Sequence, residues 1–291
     1  LEPEDGKYDY TIILSGHTDT SWCWRHSEHA YKYKDTKPVM GLIATYGKVG
    51  FGAICFFFIA LFSIFMSVAN ICDFVGTAWT EKFFASQGYQ NLMFAMNFVP
   101  IVTAIGSLFV VMWGDPNPRN ASRGAMDNAT GIGISYAVIK YFKEHPEKMP
   151  KNCRIIDANI GSEEAGLRGS KAWCEAHKGE FQDCPTMIIS YDTIHDPKYL
   201  MVNYRDLNGT VKADKDYSDL FMEAAEAVDV PCKKGWVPPL GGATDSAAFA
   251  QAGFRAAGIT GLNHNLEDYY HTRRDTYDNM NAEGLANCYA A

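Results

Sequence analysis

Five short stretches of the 291-residue chain carry the side chains best suited to chemistry. His17 and Asp19 stand in His17-Thr-Asp19, and Asp127 in Arg123-Gly-Ala-Met-Asp127-Asn-Ala-Thr-Gly131. Glu163 and Glu164 adjoin in Gly161-Ser-Glu163-Glu164-Ala-Gly-Leu-Arg-Gly-Ser170, Asp192 ends an apolar run, and His271 opens His271-Thr-Arg-Arg-Asp275. Each has an ordinary structural reading when taken singly. A buried His hydrogen-bonds, a Glu pair ahead of a helix complements the positive helix N-terminus, and Asp127 caps the helix that follows it. Together they make other chemistry available. Two imidazoles, one shared carboxylate and two further carboxylates suffice to hold two zinc ions, which accept both ligand types and in catalytic sites keep a position open for water. Two such ions about 3.5–4 Å apart clamp and activate that water.

Alternating strands and helices must position these groups. Tyr10–Ser15, Arg154–Ile160, Met187–Tyr191 and Ala256–Leu262 are short apolar runs expected to be strands. Residues 129–143 space Ile132, Tyr136, Ile139 and Phe142 along one helical face, and 165–177, 217–228 and 244–252 are further expected helices. This alternation predicts an α/β fold, a three-layer sandwich with a mixed, largely parallel central sheet. Ligands gather outside the carboxyl ends of strands in such sheets, which is where His17, Glu163, Glu164 and Asp192 fall.

In these motifs the sequence resembles the M28 family of zinc aminopeptidases, which also contains the glutaminyl cyclases. The family's His-x-Asp, Gly-Ala-x-Asp-[Asp/Asn]-Ala-[Ser/Thr]-Gly, Glu-Glu-x-Gly-Leu-x-Gly-Ser, later Asp and His-Thr-x-x-Asp segments all occur here in order, across residues 8–38 and 115–291. The resemblance implies roles. Asp127 would bridge two zinc ions, Glu164 and His271 would complete one, and His17 and Asp192 the other. Glu163 would be the general base of peptide-bond hydrolysis at peptide N-termini. Asp19 would hold the His17 ring and fix its tautomer, with Asp275 in a similar role at His271. Gly166 and Gly169 would let the backbone approach closely. The stretch Trp236–Phe249 would line the substrate pocket, with Asp245 near the substrate amine. Within the same resemblance, glutaminyl cyclisation at a single zinc is the alternative enzyme, and a non-catalytic membrane-bound binding homologue the alternative outside enzymology. Retention of every ligand together with Glu163 argues against the last. Relatives carry more sequence ahead of the His-x-Asp motif, so upstream residues are expected to be missing; the chain opens Leu-Glu-Pro-Glu-Asp, with neither an initiator Met nor a signal-peptide-like apolar run.

Two apolar runs interrupt this domain. Val49–Cys72 and Phe83–Gly114 contain no charged residue, and between them lie Asp73, Glu81 and Lys82. Each is long enough to span a bilayer, and Pro100 and Gly106 are better tolerated in membrane helices than in soluble ones. Two buried core helices, a spanning hairpin, or a hairpin lying on a membrane surface or a partner subunit are the readings such runs allow. The expected architecture is a discontinuous catalytic domain, 1–38 and 115–291, with an α-helical hairpin at 39–114 that meets a lipid bilayer. Lys32, Lys34, Lys37, Lys48, Arg119 and Arg123 flank the hairpin, which by the positive-inside tendency puts the catalytic domain on the cytoplasmic side. Eight scattered Cys fit free thiols. A net charge of −8 argues against nucleic-acid binding. Asn120, Asn128 and Asn208 begin Asn-x-Ser/Thr triplets, read as chance matches because Asn128 adjoins an expected ligand.

Overall fold

A computed structural model describes residues 1–3, 5–23, 39, 47–99, 101–102, 105, 121–181, 184–238, 241–262 and 269–291. The chain divides into two compact units, Leu1–Trp22 with Arg119–Ala291, and Cys23–Pro118. Hydropathy alone sets the insertion at 39–114; most of the difference, residues 24–38, lies outside the described residues.

The first unit is built on strands β1 (Tyr10–His17), β2 (Cys153–Ile160), β3 (Thr186–Asp192), β4 (Met201–Asn203), β5 (Arg205–Asp206), β6 (Val211–Lys212), β7 (Lys233–Gly235) and β8 (Arg255–Thr260). Six of them form one sheet in the order β2-β1-β3-β8-β4-β7, and β5 and β6 pair separately. β2, β1, β3 and β8 run parallel, and β4 is antiparallel to β8. Strand alternation explains the layers. On β1, Ile12 and Leu14 face one side and Ile13 the other. The first side packs against Ile134, Val138 and Phe142 of one helix (Thr130–Glu144), Phe221 of a second (Lys215–Ala227) and Cys288 of a third (Ala282–Ala290). The second side packs against Cys174 of Arg168–Ala176 and Phe249 of Asp245–Gln251. Phe249 is fully buried, with Trp173 edge-on at 5.6 Å, a burial that stabilises the layer by of order 2–3 kcal/mol. The three-layer sandwich with a mixed, largely parallel sheet is the architecture expected from the sequence.

The second unit holds helices α1 (Lys48–Phe74), α2 (Ala78–Phe84) and α3 (Gln87–Met96). The chain leaves α1 through Gly76, whose φ of +76° glycine tolerates at little cost. Ser86 caps α3 by accepting the Tyr89 N–H. α1 reverses the usual amphipathic pattern. Gly52, Cys55 and Ala69 are buried, and Ile59, Phe62 and Met66 half-buried, along one narrow stripe. Ile54, Phe57, Phe58, Leu61, Ile64, Val68 and Ile71 are exposed. A core helix exposes polar residues and buries apolar ones, so the core-helix reading does not describe α1. Among the described residues, one helix, Gly50–Phe74, is long and apolar enough to cross a membrane. The second apolar run begins differently from the expected single span. Ser86 separates α2 from α3 there. Most of its apolar part, including Pro100 and Gly106, lies outside the described residues.

Candidate metal centre

Adjacent parallel strands bring the first ligands together. His17 closes β1 and Asp192 closes β3, each two residues beyond the register pair Ser15–Ser190, so both project from one face at the carboxyl edge. Asp127 lies in the tight turn Ala125–Ala129 that feeds the Thr130–Glu144 helix, and its peptide bond to Asn128 is cis. Asn128 turns inward, donating to the Tyr191 carbonyl and accepting the Gly131 N–H, so its side chain is committed to the fold. Glu163 and Glu164 follow β2, and His271 sits in a loop with φ of +52°.

Asp127 joins the two halves of the site. Its Oδ1 lies 3.0 Å from His17 Nε2 and its Oδ2 lies 3.0 Å from His271 Nε2. Asp192 Oδ1 is 3.8 Å from His17 Nε2, and Glu164 Oε1 is 3.1 Å from His271 Nε2. The donor atoms of His17, Asp127 and Asp192 fall within 4.8 Å of one another, as do those of Asp127, Glu164 and His271. Two sets of three candidate ligands thus share one carboxylate.

The supporting hydrogen bonds differ in detail from those implied by the resemblance. His17 Nδ1 meets the main-chain carbonyl of Asp19 at 3.1 Å, while the Asp19 carboxylate is 3.7 Å away. That carboxylate accepts the Glu163 and Glu164 N–H groups at 3.0 and 3.1 Å. Asp19 therefore orients the imidazole through its backbone and the Glu pair through its side chain. Asp275 accepts the N–H groups of Met126 and Asp127 at 2.6 and 3.1 Å, so it holds the turn carrying the shared carboxylate. At His271, Nδ1 faces the Ser21 hydroxyl at 3.2 Å. Tyr270 stacks on the His271 ring at 3.8 Å. Ser21 carries no motif signal, and Tyr270 only its place beside His271; neither emerged from the sequence.

Burial and neighbouring charges shift these groups in opposite directions. Burial alone would lower the His17 imidazole, but Asp127, Asp19 and Asp192 outweigh it and hold the ring well above the ordinary His range. Glu164 and Asp127 likewise overcome burial at His271 and push it up to about 9. Burial tends to raise Asp127, and the two histidines reverse this and hold it low. Glu163 is pushed up by burial, then by Asp192, Glu164 and Asp245. Asp245 lies at the start of its helix, 1% exposed, with neither oxygen hydrogen-bonded. The Ser170 hydroxyl beside it donates to the Leu167 carbonyl, 3.1 Å away, and burial pushes the Asp245 carboxyl up to about 6. Burial and the neighbouring carboxylates also hold the Tyr270 phenol protonated far above its usual range. Bound cations would balance a buried site with more carboxylates than imidazoles. Imidazole nitrogens and carboxylate oxygens in two sets of three fit zinc.

The model of peptidase family M28 matches residues 108–291. The chain belongs to peptidase family M28. No curated protein matches it. Solved structures it is similar to include the LapA aminopeptidase of Legionella pneumophila, 19% identical, with a TM-score of 0.49 over 59% of this chain and 45% of that one. BSAP, a zinc aminopeptidase from Bacillus subtilis, is 22% identical, with a TM-score of 0.48 over 58% and 40%. This M28 chain therefore spans less than half the length of either.

Two glycines of the M28 chain's Glu-Glu motif act in different ways. Gly166 has φ of +90° with open space around it, so it serves the turn rather than close packing. A Cβ on Gly169 would lie 1.7 Å from the Gly161 carbonyl oxygen, so here glycine alone allows the helix to approach the end of β2.

Proposed function

We propose that this chain is a dizinc exopeptidase that hydrolyses peptide bonds at the N-termini of peptides. The observation carrying this reading is the Asp127 carboxylate, whose two oxygens each face a different histidine at 3.0 Å. His17 and Asp192 would hold one ion, Glu164 and His271 the other, and Asp127 both. When bound, the ions supply Lewis acidity toward the scissile carbonyl and lower the pKa of a water between them. The chain's own residues do the rest. Glu163 takes a proton from the attacking water and delivers it to the leaving amine, as general base and then general acid. Tyr270, whose ring stacks on His271, is the proposed donor toward the oxygen on which negative charge develops. Asp245, a buried carboxylate lacking a hydrogen-bond donor, is the counter-charge for the substrate ammonium. Two ligand sets, rather than one, favour this reading over single-zinc glutaminyl cyclisation. Peptides beginning with Gln separate the two: hydrolysis frees Gln and a shortened peptide, whereas cyclisation leaves the chain at full length and releases ammonia.

We further propose that the Cys23–Pro118 unit anchors the enzyme in a lipid bilayer through α1. Support comes from the exposed apolar face of α1 and from its 27 residues, a length of about 40 Å against a hydrocarbon core of about 30 Å. The basic flanks of the insertion favour a cytoplasmic catalytic unit. Partition of the detergent-free protein into the aqueous phase as a monodisperse species would refute the anchor. Protection of the catalytic unit from protease added outside sealed cells tests the side.

A further inference from the structure

The chain enters and leaves its insertion through two segments that pair directly beside the metal ligands. Trp22 and Ala121 form an antiparallel bridge, and the Ser122 N–H donates to the Ser21 carbonyl at 2.8 Å. The two serine side chains of this stem contact residues of the site. The Ser21 hydroxyl, 7% exposed, lies 3.2 Å from His271 Nδ1. The Ser122 hydroxyl, 5% exposed, donates to the Asp275 carboxylate at 3.4 Å, and Asp275 grips the N–H groups of Met126 and Asp127. The segment His17–Ser21 is only five residues long, yet it holds one candidate ligand, His17, and contacts both imidazoles, through the Asp19 carbonyl and the Ser21 hydroxyl.

We infer that Ser21 is a positioning residue for His271, and that the stem of the insertion is thereby part of the metal centre. This rests on the dizinc reading. An imidazole that presents its Nε2 lone pair to a metal carries its proton on Nδ1, and the partner of that proton fixes both tautomer and ring angle. Ser21 Oγ accepts it. Tyr270 still stacks on the ring without that oxygen, but the Nδ1 proton loses this acceptor, and the ion shared by Glu164 and His271 is weakened, while the ion at His17 and Asp192 keeps its own supports. Loss of such a partner costs about 10–100-fold in metal affinity.

The test uses the full-length chain in detergent, stripped of metal and titrated with zinc against a chromogenic chelator. Wild type should take up two ions. Ser21→Ala should keep one affinity unchanged and weaken the other about 10–100-fold; Ser21→Thr, which restores the hydroxyl, should recover the weak site. Equal weakening of both sites, unchanged affinities, or a weak site that Thr fails to restore would overturn the inference while leaving the dizinc reading in place. Uptake of fewer than two ions by the wild type overturns the dizinc reading, and this inference with it.

Discussion

At the scale of single residues, the site is a collection of costs accepted for the sake of chemistry. Asp245 is the clearest. It is buried, lacks a hydrogen-bond donor, and titrates at about 6 instead of 3.8. The folded carboxyl thus holds its proton to higher pH than the unfolded one. Asp245 alone therefore costs the metal-free protein progressively more stability as pH rises from about 4 to about 6, and above that its full cost applies, on the order of 3 kcal/mol. Asp245→Asn should raise the melting temperature of the metal-free chain at pH 7.5 and leave it unchanged near pH 4, while raising KM for peptides with a free N-terminus. Equal melting temperatures at pH 7.5 would show that Asp245 is solvated or paired in solution.

At the scale of elements, strand ends and one tight loop do the positioning. Gly169 lets the Arg168–Ala176 helix press on Gly161, which fixes the loop bearing Glu163 and Glu164. Gly169→Ala forces that loop away, and both the melting temperature and zinc affinity should fall, by an amount typical of severe backbone strain, about 2–4 kcal/mol; a variant as stable as wild type contradicts this packing. The main elements were legible in the sequence because continuous apolar runs and helical spacing extend over six residues or more in β1, β2, β3 and β8 and in the Thr130–Glu144 helix. Strands β4 to β7 were not, since two or three residues hold no full period. The candidate ligands were legible because they are ionisable, clustered in motifs and mostly set at strand ends. Ser21 and the Asp19 carbonyl were not, because a hydroxyl or a backbone oxygen acquires its role only from the partner the fold places against it. The same limit explains Asp275: the motif suggested His271, and the fold placed its carboxylate on the turn holding Asp127.

At the scale of the whole molecule, the chain combines a polar, metal-suited unit with an insertion whose surface suits hydrocarbon. The exposed apolar side chains of α1 form the kind of patch that marks a membrane or protein contact. Replacing Ile64 and Val68 together with Lys places two charges at the middle of α1, each costing about 2.5–3.5 kcal/mol at a bilayer centre. The double variant should lose co-sedimentation with phosphatidylcholine vesicles and keep its zinc content; retained vesicle binding would show that α1 is not the anchor. The central claim, that two shared-ligand zinc ions and Glu163 hydrolyse peptides from the N-terminus, is tested most directly by adding zinc stepwise to the stripped protein while measuring release of the first residue from an unblocked peptide. The account predicts activity that reaches its plateau at two zinc per chain, vanishes with chelator, and falls at least about 100-fold in Glu163→Gln with both zinc ions still bound. Full activity in Glu163→Gln, or two bound zinc ions with no release from any peptide of a broad panel, would contradict it.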